Sequence, residues 1–221
     1  LINSYFDALG KLRTRLNAIR TQGEPGPGAR KLMQETLDGN AELAAIQQLV
    51  EEQMVAGLDE DQRQALRPLL LRPLLQAYAA LVRPTETEIN RTWTAQVFQP
   101  FQSGIAQLYP FAREATREAA PADIARIFGP DGAISKFNNE ALGTLVSRRG
   151  NALAPREWAA MGITLRPELM AGYSAWVAPL GQAASGSGGG KTTIFEILPI
   201  PASGMVEYSL VIDGQTLRYR N

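Results

Sequence analysis

The stretch "ASGSGGGKTT", Ala184–Thr193, decides between two fold classes, because its Gly-Lys-Thr ending is that of a phosphate-binding P-loop. A P-loop has the pattern G-x-x-x-x-G-K-[ST] and joins a strand to a following helix, so that backbone N–H groups at the helix start converge on the phosphates. Counting back from Gly190, the first glycine of the pattern falls on Ser185. The motif is therefore incomplete, and the flanking segments decide the fold.

These flanking segments occur in the opposite order to those of a P-loop. Helical periodicity precedes the stretch and ends near Leu180, whereas "TTIFEILPIP" after it is β-branched and aromatic, as strands are. We therefore interpret residues 184–191 as a flexible Gly/Ser linker. The alternative, a nucleotide- or phosphate-binding module that uses the GGGKTT loop, Gly188–Thr193, stays open as a second hypothesis.

The expected fold class is α+β, a mainly helical multi-helix bundle followed by a small antiparallel β-sandwich-like domain at the C-terminus. We place the helical domain at residues 1–183, divisible into subdomains 1–83 and 84–183. After the linker, residues 192–221 form the start of the β-domain. Within it, Asp213-Gly214 separates two alternating runs and predicts a β-hairpin with a two-residue turn.

Several helices are predicted by apolar residues that recur every three or four positions. The first runs from Ile2 to Ile19 and is ended by "GEPGPG", because paired prolines and glycines interrupt the hydrogen-bond ladder. A second helix begins near Ala29 and ends at "LDGN". Asp59 or Asp61 is then placed to cap a third run that reaches Val82.

Prolines are expected to interrupt this third run and to separate it from the next helix. Pro68 and Pro73 predict a kink or a break near residues 67–72, and with Pro100 they are candidate hinges. Thr85 is expected to cap a new helix that continues through "INRTWTAQVFQPFQSGIAQLYPF".

The rest of the helical part contains shorter elements. Two short helices are expected near residues 122–128 and 133–142, with Asp131 capping the second of them. A turn-rich stretch, "SRRGNALAPREW", precedes a last helix at about 167–180.

The composition argues against most kinds of active site. The 221 residues include no Cys and no His, and 22 basic residues balance 22 acidic ones. Without thiolate or imidazole ligands, zinc, haem and iron–sulfur sites are not expected, nor are Cys-His or Ser-His-Asp catalytic sites. A net charge of zero supplies no field that would attract nucleic acid. We expect no catalytic residue, no cofactor, no metal and no small-molecule substrate.

Two further groups of residues are assigned structural roles. The carboxylates Glu51-Glu52, Asp59 to Asp61 and Glu86/Glu88 are expected on solvated helix faces or at helix ends rather than as an acid/base pair. Five aromatic residues at helical spacing are expected in the core: Trp93, Phe98, Phe101, Tyr109 and Phe111.

No membrane-spanning segment is expected, because the most apolar stretch, Leu66 to Val82, is interrupted by two arginines and two prolines. The chain opens without an initiator Met or a signal-peptide pattern, so we expect it to be a fragment of a longer protein.

Four segments in succession resemble one protein family. "TWTAQVFQPFQSGIAQLYPF", "DIARIFGPDGAISKF", "RRGNALAPREWAAMGITL" and "EYSLVIDGQTLRYRN" are similar, in this order, to segments of the periplasmic C-terminal region of the IcmF/TssM proteins of type VI secretion. The resemblance covers roughly residues 85 to 221, and residues before it fit the family by order and class alone.

This resemblance implies a non-catalytic structural component of the type VI secretion membrane complex. It implies the periplasmic region of an inner-membrane protein, which spans towards the outer membrane and docks the outer-membrane lipoprotein TssJ. The inner-membrane protein TssL and self-association in the full-length complex are further implied partners.

A partner surface is predicted on the C-terminal β-part. Tyr208, Ile212, Leu217 and Tyr219 could supply apolar anchors of the kind that dominate interfaces. The alternative, that these four side chains pack against the protein's own helices, stays open.

Overall fold

The computed structural model describes residues 1–149, 152–172, 207–212 and 215–220. By its internal contacts the chain divides into two units, Leu1–Ser185 and Gly186–Asn221. The first unit holds the helices and a short hairpin, and the second holds a separate hairpin.

The first unit opens with α1, Ile2–Thr21, which confirms the first predicted helix. Its buried residues are Tyr5, Leu12 and Ile19, spaced seven apart, so one narrow stripe faces the core. The hydroxyl of Tyr5 donates to the backbone oxygen of Leu70 at 2.7 Å.

Helix α2, Pro25–Leu37, begins four residues before the predicted start at Ala29. The prediction treated the prolines of "GEPGPG" as a barrier, but a proline in the first helical turn removes an N–H that has no partner there in any case. Helix α3, Glu42–Leu49, follows and continues into a π-helical segment, Val50–Met54.

The longest element is α4, Glu60–Trp93, which has 34 residues and contains Pro68, Pro73 and Pro84. Asp59 caps it as predicted, its carboxylate accepting from the N–H of Gln62 at 2.8 Å. The prediction of a break near residues 67–72 is wrong, because the helix is continuous through these residues. The inner face of α4 is packed in the core beside and beyond Pro68 and Pro73. Its buried side chains there are Leu71, Leu74, Tyr78 and Leu81.

Thr85 does not cap a new helix; it lies inside α4 and is completely buried. A capping residue would need the non-helical backbone of a helix start, and here the helix continues through it. Beyond α4 come a π-helical segment, Thr94–Phe98, and α5, Gln99–Gly104. The helix predicted to reach Phe111 therefore ends at Gly104.

Two short helices confirm the next predicted pair. Helix α6 is Pro121–Phe128, and α7, Ala133–Lys136, continues into the π-helical segment Phe137–Leu142. The expected cap at Asp131 is wrong, because Gly132 occupies the N-cap position and no side chain caps α7. Gly132 is needed in this turn, since a Cβ there would lie 2.7 Å from the backbone oxygen of Ile127.

A short hairpin lies within the stretch that was predicted only to be turn-rich. Strand β1, Val146–Arg149, pairs antiparallel with β2, Ala152–Pro155. The two residues between the strands are Gly and Asn, which is a hairpin signal in its own right. Residues 167–172 are helical, which agrees with the start of the last predicted helix.

The second unit contains the predicted C-terminal hairpin. Strand β3, Glu207–Ile212, pairs antiparallel with β4, Gln215–Arg220, and Ile212 is opposite Gln215, as a two-residue turn requires. The expected strand in "TTIFEILPIP" and the Gly/Ser linker lie outside the described residues. The fold class is confirmed as α+β and mainly helical.

Candidate docking surfaces

The carboxylates of the first unit serve mainly in ion pairs and helix caps. Glu51 accepts from Arg67 at 2.6 Å, and this hydrogen bond lowers the pKa of the Glu51 carboxyl. In the described part of the chain, no three acidic residues are grouped so that they could hold a metal ion.

Glu88 was expected on a solvated face, but its side chain is only 10% exposed. Its carboxylate accepts from Nε and Nη2 of Arg91 at 3.0 and 2.8 Å, and these hydrogen bonds are the main cause of the raised pKa of Arg91. Arg91 also donates to Glu24, the N-cap residue of α2. The network therefore joins the N-terminus of α2 to α4.

Ion pairs also connect the first three helices. Arg15 of α1 donates to Glu35 of α2 and, at 2.5 Å, to Glu42 of α3. These charged groups hold helices together and do not converge on an open cleft.

Residues 156–166, here called the strap, cross the helical unit after β2. At its first end, Arg156 donates to the backbone oxygen of Leu37 at 2.7 Å and to that of Thr144 at 3.2 Å. Next, the ring of Trp158 lies 5.0 Å from that of Tyr78 on α4. Periodicity in the sequence does not predict these contacts, because the partners are far away along the chain.

The second half of the strap is held by fewer contacts. The N–H of Thr164 donates to the Glu86 carboxylate at 2.8 Å, and Ile163 is buried. Between the strap and α4 lies a groove of about 890 Å³, lined on one side by Ile89, Trp93 and Phe137 and on the other by residues 163–169. The groove is mostly apolar and contains no constellation of catalytic side chains.

The predicted core aromatics separate into two groups. Trp93 packs edge-on against Phe137 at 5.0 Å, and Phe101 packs against Phe111 at 5.3 Å. Phe98 and Tyr109, by contrast, are exposed, so their assignment to the core is wrong. Tyr109 lies beyond the end of the helix at Gly104, and Phe98 lies in the π-helical segment, where the spacing of side chains departs from the α-helical period on which the prediction relied.

An exposed apolar patch lies where α1 meets α4. Ile2 and Phe6 on α1 and Leu66 and Leu69 on α4 are all exposed, and the bond from Tyr5 to Leu70 brings these parts of the two helices together. Exposed apolar side chains on two neighbouring helix segments are a candidate interaction surface.

The predicted partner residues lie on the C-terminal hairpin. Its register places Tyr208 opposite Tyr219 and Leu210 opposite Leu217, so positions 208, 212, 217 and 219 share one face. Leu217 is 68% exposed. The role of these four residues in binding stays a prediction.

The GGGKTT loop lies outside the described residues, so the phosphate-binding hypothesis stays a prediction too. No helix in the described ranges is both long enough and apolar enough to cross a membrane.

Comparison with known proteins finds similar sequences and folds among components of type VI secretion. Residues 84–187 match the family "Type VI secretion protein IcmF helical domain". Over 143 residues, which are 64% of this chain and 13% of the relative, the chain is 23% identical to "Type VI secretion system component TssM1" of Pseudomonas aeruginosa (strain PAO1). The resemblance to IcmF/TssM proteins is thus confirmed over residues 84–187.

Two solved structures have the same fold over the whole of this chain. A chain of a "Type VI secretion system membrane core complex" is similar with a TM-score of 0.77 and 21% identity, and a chain of a "Type VI membrane complex" with 0.76 and 23%. This chain covers 45% and 43% of those chains, respectively. It therefore spans less than half of each solved chain and a small part of the curated relative.

Proposed function

We propose that this chain is a non-catalytic structural segment of the type VI secretion membrane complex. The observation that carries the proposal is the family match of residues 84–187, which include the second part of α4 and the strap. The roles of the polar groups support it, because Glu51, Glu88 and Arg156 are engaged in ion pairs and backbone contacts that hold elements together.

The segment lies in the periplasm in this proposal, as part of an inner-membrane protein that spans towards the outer membrane. Its resemblance to the C-terminal region of IcmF/TssM proteins supports this location. The apolar patch at α1 and α4 supports assembly into a larger complex, in which self-association and contact with TssL are the proposed interactions.

The C-terminal hairpin is the proposed docking element for the outer-membrane lipoprotein TssJ. Exposed apolar anchors contribute a large share of binding energy when a partner buries them, and Leu217 is such a side chain. Because positions 208, 212, 217 and 219 share a face, one partner could contact all four.

Co-purification of the lipoprotein with the full-length protein tests this assignment. Leu217→Arg places a charge in the middle of the proposed contact and should reduce the amount of co-purified lipoprotein at least tenfold, about 1.4 kcal/mol. Thr216→Arg is the matched control, since Thr216 is exposed on the opposite face of the same strand. Equal recovery with both variants would rule out this face as the docking site.

A further inference from the structure

The two halves of the strap, residues 156–161 and 162–166, are attached to the helical unit very differently. The first half is fixed by Arg156, which donates to Leu37 and Thr144, and by Trp158 against the buried Tyr78. The second half has one hydrogen bond to α4, from Thr164 to Glu86, and the groove lies beside it. The second half is therefore the weaker attachment.

A strained turn joins the two halves. Trp158 and Met161 exchange backbone hydrogen bonds at 2.9 and 3.0 Å, and between them Ala159 and Ala160 have φ values of 51° and 61°. Left-handed backbone is unfavourable for a residue with a Cβ, so this turn is disfavoured relative to the same turn with glycines.

The chain also passes very close to itself directly after this turn. A Cβ on Gly162 would lie 2.6 Å from the backbone oxygen of Arg156, which is too close for any side chain. The attached position of the second half thus requires both the strained turn and the glycine.

We propose that residues 162–166, the second half of the strap, detach from α4 as a unit while Arg156, Trp158 and the helices stay in place. Detachment lets the strained turn relax. It costs the hydrogen bond to Glu86, the burial of Ile163 and the packing of Leu165 against the core and, as the turn opens, the two hydrogen bonds between Trp158 and Met161. The strap is then a releasable connection built into an otherwise fixed helical unit.

Thiol labelling measures this opening directly, because the 221 residues contain no Cys. In the full-length protein, Ile163→Cys places a thiol under the attached strap, where the native side chain is 4% exposed. Leu74→Cys places a reference thiol in the middle of α4, where the native side chain is fully buried and only unfolding of the helices would expose it. We expect the thiol at position 163 to react faster than the thiol at position 74.

Further substitutions shift the opening in opposite directions. Glu86→Ala removes the hydrogen bond to Thr164 and should raise the labelling rate at position 163 about tenfold, and Gly162→Ala should raise it as well. The double substitution Ala159→Gly and Ala160→Gly relieves the turn and should lower the rate about tenfold. Glu157→Ala is the matched control, since this exposed strap residue has no ion pair or hydrogen bond in the described ranges, and it should leave the rate unchanged.

Equal labelling at positions 163 and 74 in all variants would overturn the proposal, because the strap would then open only when the helices unfold. A rate at position 163 that the glycine pair leaves unchanged would overturn the role of the strained turn. Opening of the strap is independent of whether the C-terminal hairpin binds a lipoprotein, so the two proposals can fail separately.

Discussion

Gly26 of α2 and Glu88 of α4 lie in direct contact: a Cβ on Gly26 would be 2.6 Å from the Cβ of Glu88 and 3.2 Å from the backbone oxygen of Pro84. The absence of a side chain at position 26 is what allows the first turn of α2 to approach α4 this closely. At the same point, Arg91 connects Glu88 to Glu24, so close packing and charge pairing coincide.

Gly26→Ala should therefore destabilise the chain by about 1–3 kcal/mol, because the added methyl group must displace a helix. Gly10→Ala is the matched substitution, since Gly10 lies inside α1 with no atom within 4 Å of a Cβ. It should stabilise the chain by about 0.5–1 kcal/mol, because alanine favours the helix. Urea unfolding of both variants measures the difference, and equal effects would contradict the close contact.

Two tyrosines should respond oppositely to removal of their hydroxyl groups. The Tyr5 hydroxyl donates to Leu70, so Tyr5→Phe should cost about 1 kcal/mol in urea unfolding. The Tyr78 hydroxyl is buried and has no hydrogen-bond partner among the described residues, so Tyr78→Phe should be neutral or stabilising. A larger loss at Tyr78 than at Tyr5 would contradict this comparison.

Ionisation of Tyr78 should also lower the free energy of unfolding at alkaline pH. Burial raises its pKa to about 12, an effect that the nearby Arg156 partly opposes. A tyrosine in the unfolded chain has a pKa of about 10, so the folded form holds its proton more tightly. The contribution of this group to the free energy of unfolding is therefore fully present below pH about 10 and declines as the pH rises towards 12. Tyr78→Phe should flatten the fall in unfolding free energy over that interval.

The Glu51–Arg67 pair should make a small contribution to the free energy of unfolding, and this contribution should be lost at acid pH. The hydrogen bond from Arg67 lowers the pKa of Glu51, so the contribution is complete above the unfolded pKa of about 4.3 and disappears as the pH falls through the lowered value. Because both side chains are substantially exposed, its size should be below about 1 kcal/mol. Arg67→Met should remove this pH dependence, whereas Arg83→Met, at an exposed arginine of the same helix, should keep it.

The proposed periplasmic location predicts the accessibility of an engineered thiol in cells. Arg113→Cys, at an exposed position of the full-length protein, should react with a membrane-impermeant maleimide in intact cells. Labelling that occurs only after the inner membrane is permeabilised would place this segment on the cytoplasmic side.

The sequence was informative where local patterns decide the structure. The buried stripe of α1, the cap at Asp59 and the pairing of β3 with β4 each depend on residues close together along the chain. Local rules failed where packing overrides them. Thr85 has the side chain of an N-cap and is followed by Glu86, yet the buried face of α4 keeps the helix continuous through it.

The candidate sites were harder to predict than the elements. The strap depends on Arg156, whose acceptor at Leu37 is 119 residues away, and on the N–H of Thr164, which meets Glu86 from 78 residues away. No periodicity or motif signals such contacts, whereas the Gly-Asn pair in the sequence between β1 and β2 could have been recognised as a hairpin signal.

The continuity of α4 means that the boundary of the matched family segment does not coincide with a boundary in the structure. The matched family segment begins at residue 84, which lies within this unbroken helix of 34 residues, about 51 Å long. A protein trimmed at that point would keep the matched segment but lose α2, whose Gly26 packs against Glu88. The segment that matches the family is thus shorter than the packed helical unit of which it is a part.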